Sequence, residues 1–245
     1  MRLLRFYVPF QLVAGERYFL PEDVFKHAIK VLRLPENSEI VLFCGDNNEY
    51  QCRLIDVQKR SAQVEIIAVE NADRESPLKI HLIQGVSKGD RMDFVCQKAT
   101  ELGVESITPV FTERTNISLS GERLQKKLSH WQAIAVSSCE QCGRNSVPKI
   151  HSAENYIDAI KSFSDSKIGK LVLSPTSSTS LKSYQNKYSE VVAVIGPEGG
   201  LSKNEIEIAR LAGFAPVTFG PRILRTETAA VAFLALSQGL WGDLT

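Results

Sequence analysis

The sequence predicts an α/β protein in two parts, a small β-barrel followed by a larger domain on a parallel sheet. Three observations carry that expectation. Residues 1–72 hold short, β-branched, partly alternating apolar runs, the pattern of half-buried strands. From residue 79 onward, strand-like runs alternate with helical stretches, which argues for a parallel sheet with helices on both faces. Between them "ENADRESP", residues 70–77, is polar, lacks a period and ends in proline, so it reads as a linker and divides the chain into domains 1–72 and 73–245.

In the first part, "RLLRFYV", "EIVLFCG", "EYQCRLIDVQ" and "AQVEIIAVE" are the strands of a small antiparallel barrel, with "GDNN" as the turn between the second and third. Residues 21–34 have helical spacing. Val24, Ala28, Val31 and Leu32 share one face, and Lys26, Lys30 and Arg33 are left to face outward. In the second part the strands are "KIHLIQGV", "SITPVFT", "KLVLSP", "VVAVIG" and "PVTFG", and the helices cover residues 91–102, 122–142, 154–163 and 202–211. Residues 191–195 are continuously apolar, as a buried parallel strand requires, and Ser202 with Glu205 forms a capping box that opens a helix. The last helical stretch, "TETAAVAFLALSQGLW" from Thr226, is apolar almost all the way round. It predicts a helix covered on every side, by its own domain or by a second subunit.

At 245 residues, 43% hydrophobic and 23% charged, the chain is long enough for a sizeable core and ordinary in composition. It has no uncharged apolar run of about 18 residues, and "MRLLRFYVPF" has too short an apolar stretch for a signal peptide, so a cytoplasmic protein without a membrane anchor is expected. Cys44, Cys52, Cys96, Cys139 and Cys142 read as reduced thiols. Cys139 and Cys142 have CxxC spacing, but no second pair completes a zinc site, and no metal is expected. The formal net charge is only +1, yet residues 1–35 and residues 113–149 each carry six Lys or Arg against three acids. Two such segments, if close in space, form a nucleic-acid footprint; otherwise they are solvated helix faces.

The stretch "VVAVIGPEGGLSKNEIEIA" sets a glycine turn between a strand end and a helix N-terminus, a place that suits an anion. Yet "GPEGG" fits neither phosphate-loop pattern, and its only charged residue, Glu198, repels phosphate. Glycines also admit a flat ring close to the backbone, and a carboxylate can hold ribose hydroxyls or favour a cation. S-adenosylmethionine is a cationic, ribose-bearing, phosphate-free ligand of that kind. Two further strand ends, "LVLSP" and "FGPRILRTETAA", could converge on the same pocket, with Thr226 as a helix cap and Glu227 near that helix's positive end.

"VIGPEGGLSKNEIEIA" with "FGPRILRTETAAVAFL", preceded by "KGDRMDFVCQKATELGV" and "ERTN", resembles the RsmE family of ribosomal RNA methyltransferases, of the SPOUT class, over nearly the whole chain. The resemblance implies a PUA-like RNA-binding barrel at 1–72 and a SPOUT domain at 73–245 closed by a deep trefoil knot. It implies a homodimer that methylates N3 of one uridine in 16S ribosomal RNA of the 30S subunit, using S-adenosylmethionine. Carried over by position, the cofactor pocket comprises Leu173 and Ser174; Ile195, Gly196, Pro197, Glu198, Gly199 and Gly200; Phe219, Gly220, Ile223, Leu224 and Arg225; and Thr228 and Ala229. "EQCGR", residues 140–144, matches a family segment with a Gln-x-x-x-Arg core, although Ser137, Ser138 and Cys139 stand where the family has an alanine-rich lead.

Uridine N3 is a poor nucleophile while protonated, so positioned cations that stabilise its anion are the expected catalytic device. Arg144, Arg114 and Arg225 are the candidates, with Asn116 and Gln141 as neutral donors to the uracil edge. Glu227 is either a base or a helix-end acid, and none of the four histidines sits in a motif. The target base must leave its stack, while Arg2, Arg5, Arg17, Lys26, Lys30 and Arg33 of the barrel grip flanking phosphates. A non-catalytic RNA-binding factor of ribosome assembly is the alternative; the intact "GPEGG" and "RTETAA" loops argue against it.

Overall fold

A computed structural model describes residues 3–165, 167–184 and 188–244. The chain divides into two compact units, the first holding residues up to 75 together with 136–147, the second holding 76–135 and 148 onward. Residues 136–147, which a boundary at residue 72 leaves in the second domain, therefore belong to the first unit.

The first unit contains β1 (Leu4–Tyr7), β2 (Arg17–Phe19), α1 (Glu22–Phe25), β3 (Glu39–Phe43), β4 (Asn48–Ile55) and β5 (Gln63–Asn71), with the sheet order β1-β3-β4-β5-β2. The expected all-antiparallel arrangement needs one correction, because β1 runs parallel to β3. The chain between them, with β2 and α1, is long enough to bring β3 back in the same direction. Phe6, Ile40, Leu42, Cys52, Leu54 and Val64 form the core of this unit. The helix expected over residues 21–34 is present, but Lys26–Val31 is a π-helix, with Leu32 N–H donating to His27 O at 2.9 Å. The wider turn shifts the facing residues. Val24 and Ala28 are buried as expected, whereas Val31 is 69% exposed and Leu32 is also outside.

The second unit is built on β6 (Lys79–Gly85), β7 (Val104–Phe111), β8 (Lys149–Ile150), β9 (Glu154–Asn155), β10 (Gly169–Leu173), β11 (Glu190–Ile195) and β12 (Ala215–Val217). The order is β12-β10-β11-β6-β7-β8, with β9 also on β7, and every pairing is parallel. Helices α2 (Arg91–Glu101), α4 (Tyr156–Ser162), α5 (Lys203–Leu211) and α6 (Thr226–Trp241) connect or follow these strands; α3 (Gly121–Cys142) begins in this unit. The unbroken apolar run of β11 has a direct cause. Val191, Ala193 and Ile195 enter the core shared with α2 and α6, while Val192 and Val194 enter the core shared with α4 and α5.

Helix α6 is not covered on every side within the chain. Ala230, Phe233, Leu234 and Trp241 are buried, but Leu236 and Leu240 are exposed, as is Phe94 on α2. Among the described residues no helix is long and apolar enough to cross a membrane, and no cluster of His, Cys, Asp or Glu could hold a metal ion.

Candidate functional site

Because β10 lies between β12 and β11 and all three are parallel, their carboxyl ends reach the same edge of the sheet, where ligands bind in open α/β folds. The loops that leave these ends enclose a cavity of about 250 Å³. Leu173, Ser174 and Pro175 line it after β10; Ile195, Gly196, Pro197, Glu198, Gly199, Gly200 and Leu201 after β11; Val217, Thr218, Phe219, Arg222, Ile223 and Leu224 at and after β12. Thr226 and Ala229 of α6, Ile206 of α5 and Arg114 from the loop after β7 complete the wall. Gly220, Arg225 and Thr228, expected in this set, are outside the lining. Arg225 is the N-cap residue of α6 and makes no side-chain cap.

The loop after β11 is folded so tightly that only glycine fits. A Cβ on Gly196 would lie 2.8 Å from Gly200 C and from Leu201 N. One hydroxyl then ties this loop to α6. Thr226 Oγ1 donates to Gly196 O at 2.6 Å and accepts from Gln84 Nε2 at 2.9 Å, and Gln84 is fully buried at the end of β6. Thr226 therefore bridges two segments instead of capping its helix as the sequence suggested. Thr226→Val keeps the shape but leaves Gly196 O and Gln84 Nε2 without this partner. It is expected to cost about 1–3 kcal/mol, read in thermal unfolding as roughly 2–4 °C in Tm per kcal/mol, with Thr226→Ser restoring most of it. An unchanged Tm in Thr226→Val would show that the bridge carries no weight.

Arg114 is fixed at the cavity wall, its Nη1 donating to Gly199 O at 2.9 Å. Glu198 also lines the cavity, but its Oε1 accepts from Lys88 N at 2.8 Å and Arg91 Nη1 at 2.6 Å, so this oxygen is not free for a ribose. Burial pushes the Glu198 pKa up, but bonds from backbone N–H groups and the Arg91 charge outweigh it and hold the carboxyl below the usual range. Glu227 lies outside the lining, with Oε2 buried, without a hydrogen-bond partner among the described residues and 3.8 Å from Arg91 Nε.

The remaining candidates do not gather here. Asn116 is exposed and outside the lining. Gln141 and Arg144 belong to the first unit. Arg144 is buried, with Nε donating to both oxygens of Glu75 at 3.1 Å. Among the expected phosphate contacts, Arg2 lies outside the described residues. Arg5 must be withdrawn: it is 7% exposed, pairs with Glu49 and donates to Asn145 Oδ1 at 2.6 Å. Arg17 pairs with Glu65 and Lys26 with Glu22, both at the surface; Lys30 lies over the Phe25 ring; Arg33 is exposed. Sequence reading missed Gln84 altogether, because a glutamine inside an apolar strand run carries no signal of its distant partner.

The family model for an RNA methyltransferase domain matches residues 74–238, and that for an RNA methyltransferase PUA domain matches residues 20–67. Curated relatives named ribosomal RNA small subunit methyltransferase E are 35% identical in Buchnera aphidicola (subspecies Schizaphis graminum), over 100% of this chain and 99% of that one, and 33% identical in Bacillus subtilis, over 92% and 91%. A ribosomal RNA small subunit methyltransferase E from Neisseria gonorrhoeae, solved bound to S-adenosylmethionine, superposes with a TM-score of 0.93 at 42% identity and full coverage of both chains. A methyltransferase from Legionella pneumophila, solved with the same cofactor, gives 0.96 at 39% identity, again with full coverage of both chains.

Proposed function

The chain belongs to the ribosomal RNA small subunit methyltransferase E family, and from that premise we propose that it transfers methyl from S-adenosylmethionine to N3 of a uridine in 16S ribosomal RNA of the 30S subunit. The single observation that carries the reading is the cavity where three parallel strand ends meet, walled by the Ile195–Gly200 backbone and by Leu173, Phe219 and Leu224. Its fit to the cofactor rests on chemistry present in the chain. The glycine cradle brings backbone close to a flat ring, Leu173, Ile195, Phe219 and Leu224 give apolar contact, and the Glu198 carboxylate stands in the same wall as Arg114 and Arg222. When bound, S-adenosylmethionine supplies an electrophilic methyl group and leaves as S-adenosylhomocysteine.

The chain's own residues supply position and charge. Arg114, clamped to Gly199 O, presents a cation at the cavity wall, where it stabilises negative charge spreading onto uracil O2 and O4 as N3 loses its proton. Glu198 is the only acid among the described lining residues, and a carboxylate held below its usual pKa is a poor base. This arrangement stabilises the anion that forms as the proton leaves N3.

The division of labour expected from the sequence, with the barrel gripping RNA and the parallel-sheet domain binding cofactor, belongs to the same reading. The two domain matches support it. The knot, with its three loops those that meet at the cavity, and a cytoplasmic setting belong to the same proposal. The homodimer is supported by exposed Phe94, Leu236 and Leu240 on α2 and α6, and light scattering reads the mass directly. Lys30→Ala with Arg33→Ala is expected to weaken RNA binding and to reduce the salt slope by roughly 0.7–0.9 for each phosphate that is no longer neutralised, with S-adenosylhomocysteine affinity unchanged. Equal loss of both affinities would refute separate RNA and cofactor surfaces.

The deciding experiment is transfer of labelled methyl to 30S subunits lacking the modification, with the modified base mapped by digestion and mass spectrometry. One uridine labelled at N3 is the expected result. Label on another base, or none despite S-adenosylhomocysteine binding, would overturn the substrate assignment.

A further inference from the structure

Glu205 has the position of an ordinary capping-box acid in the first turn of α5, but it is almost fully buried. Capping alone does not require that burial, and taking a carboxylate out of water is unfavourable unless its bonds repay it. Its two oxygens divide their work. Oε2 accepts from Ser202 N at 2.8 Å, the capping bond, while Oε1 accepts from Glu113 N at 2.8 Å, in the loop after β7. Tyr156 steadies the same turn, its hydroxyl donating to Glu205 O at 2.8 Å. The loop that donates the second bond is itself closed by Thr112 N donating to Thr115 Oγ1 at 2.9 Å. Arg114 follows Glu113 directly, and its guanidinium is held from the other side by Gly199 O.

We propose that Glu205 is a positioning residue for the methyl transfer: its carboxylate pins the backbone at Glu113, and so sets Arg114 against the cavity. The inference rests on the anion-stabilising role given to Arg114 above. Glu205→Gln keeps the size but turns one acceptor into a donor, which then faces an N–H group. Glu205→Asp keeps the charge but is one methylene too short to span both N–H groups, and serves if the glutamine variant does not fold.

The test uses the full chain with unmodified 30S subunits. It measures the transfer rate, S-adenosylhomocysteine affinity and amide hydrogen exchange over residues 112–116. Glu205→Gln should raise exchange at Glu113 and lower kcat roughly ten- to hundredfold while cofactor affinity is unchanged. Combined with Arg114→Ala, it should lower the rate no further than Arg114→Ala alone. Unchanged exchange, or losses that multiply in the double variant, would overturn the inference while leaving the role of Arg114 intact. A normal rate in Arg114→Ala, alongside raised exchange in Glu205→Gln, would instead overturn the role of Arg114 and the catalytic half of the inference with it.

Discussion

Gly85→Ala should lower cofactor affinity roughly ten- to hundredfold in a protein that still folds. Gly85 ends β6, next to β11, and an added Cβ would lie 2.4 Å from Pro197 N, 2.5 Å from Pro197 Cδ and 2.8 Å from Gly196 C. These are backbone and ring atoms of the loop that forms one wall of the cavity, so no flexible side-chain end can yield. The loop must move, and Gly196 O must then slip from the Thr226 hydroxyl. Overpacking of this kind costs about 1–3 kcal/mol; charged to the cavity's shape, that is roughly a ten- to hundredfold loss of affinity. Titration calorimetry with S-adenosylhomocysteine measures it. Gly239→Ala is the control, because its added Cβ would meet only Leu244 O, at 3.3 Å. Natural affinity in Gly85→Ala would mean that the loop has slack and that its conformation is not fixed by β6.

The parallel-sheet unit was legible because its signals are local. Periodicity, the apolar run of β11 and the Ser202–Glu205 box each lie within a few residues, and all three correspond to elements found. The cavity was legible for a related reason: glycine and proline at strand ends mark turns, and a parallel sheet brings its strand ends to one side. What was not legible lies between residues far apart in the chain. Gln84 meets Thr226, and Glu205 meets Glu113, only because the sheet brings them together, and composition gives no hint of either pairing. Charge counting misassigned two residues for the same reason. Arg5 and Arg144 contribute to two basic segments by number, yet both are spent inside the first unit. The π-turn after α1 changed which residues face inward without any sequence mark.

Arg144→Ala is expected to act on stability first and on transfer only as a consequence. Residues 143–145 follow the C-terminal end of α3, where backbone carbonyls lack helical partners, and the first unit supplies cations to them. Arg74 Nη1 donates to Gly143 O and Arg5 Nη2 to Arg144 O, each at 3.0 Å, while Asn145 Nδ2 reaches Ala72 O at 2.8 Å. The "ENADRESP" segment, expected to be a mere linker, thus takes part through Ala72, Arg74 and Glu75. Burial works against the Arg144 charge, but its bonds to Glu75 outweigh that and keep the group firmly cationic. Removing one member of such a pair strands the other, at a cost of about 3–5 kcal/mol. Glu75→Ala should show the larger loss, because it leaves the more deeply buried partner, Arg144, uncompensated; Arg144→Ala leaves a carboxylate nearer to solvent. Replacing both with methionine should recover much of the loss, since a buried ion pair exchanged for apolar packing is often neutral. Denaturant unfolding of the four proteins gives the coupling. A catalytic Arg144 predicts the opposite pattern, in which Arg144→Ala unfolds like the natural chain, Glu75→Ala transfers methyl normally, and only the arginine variant is slow.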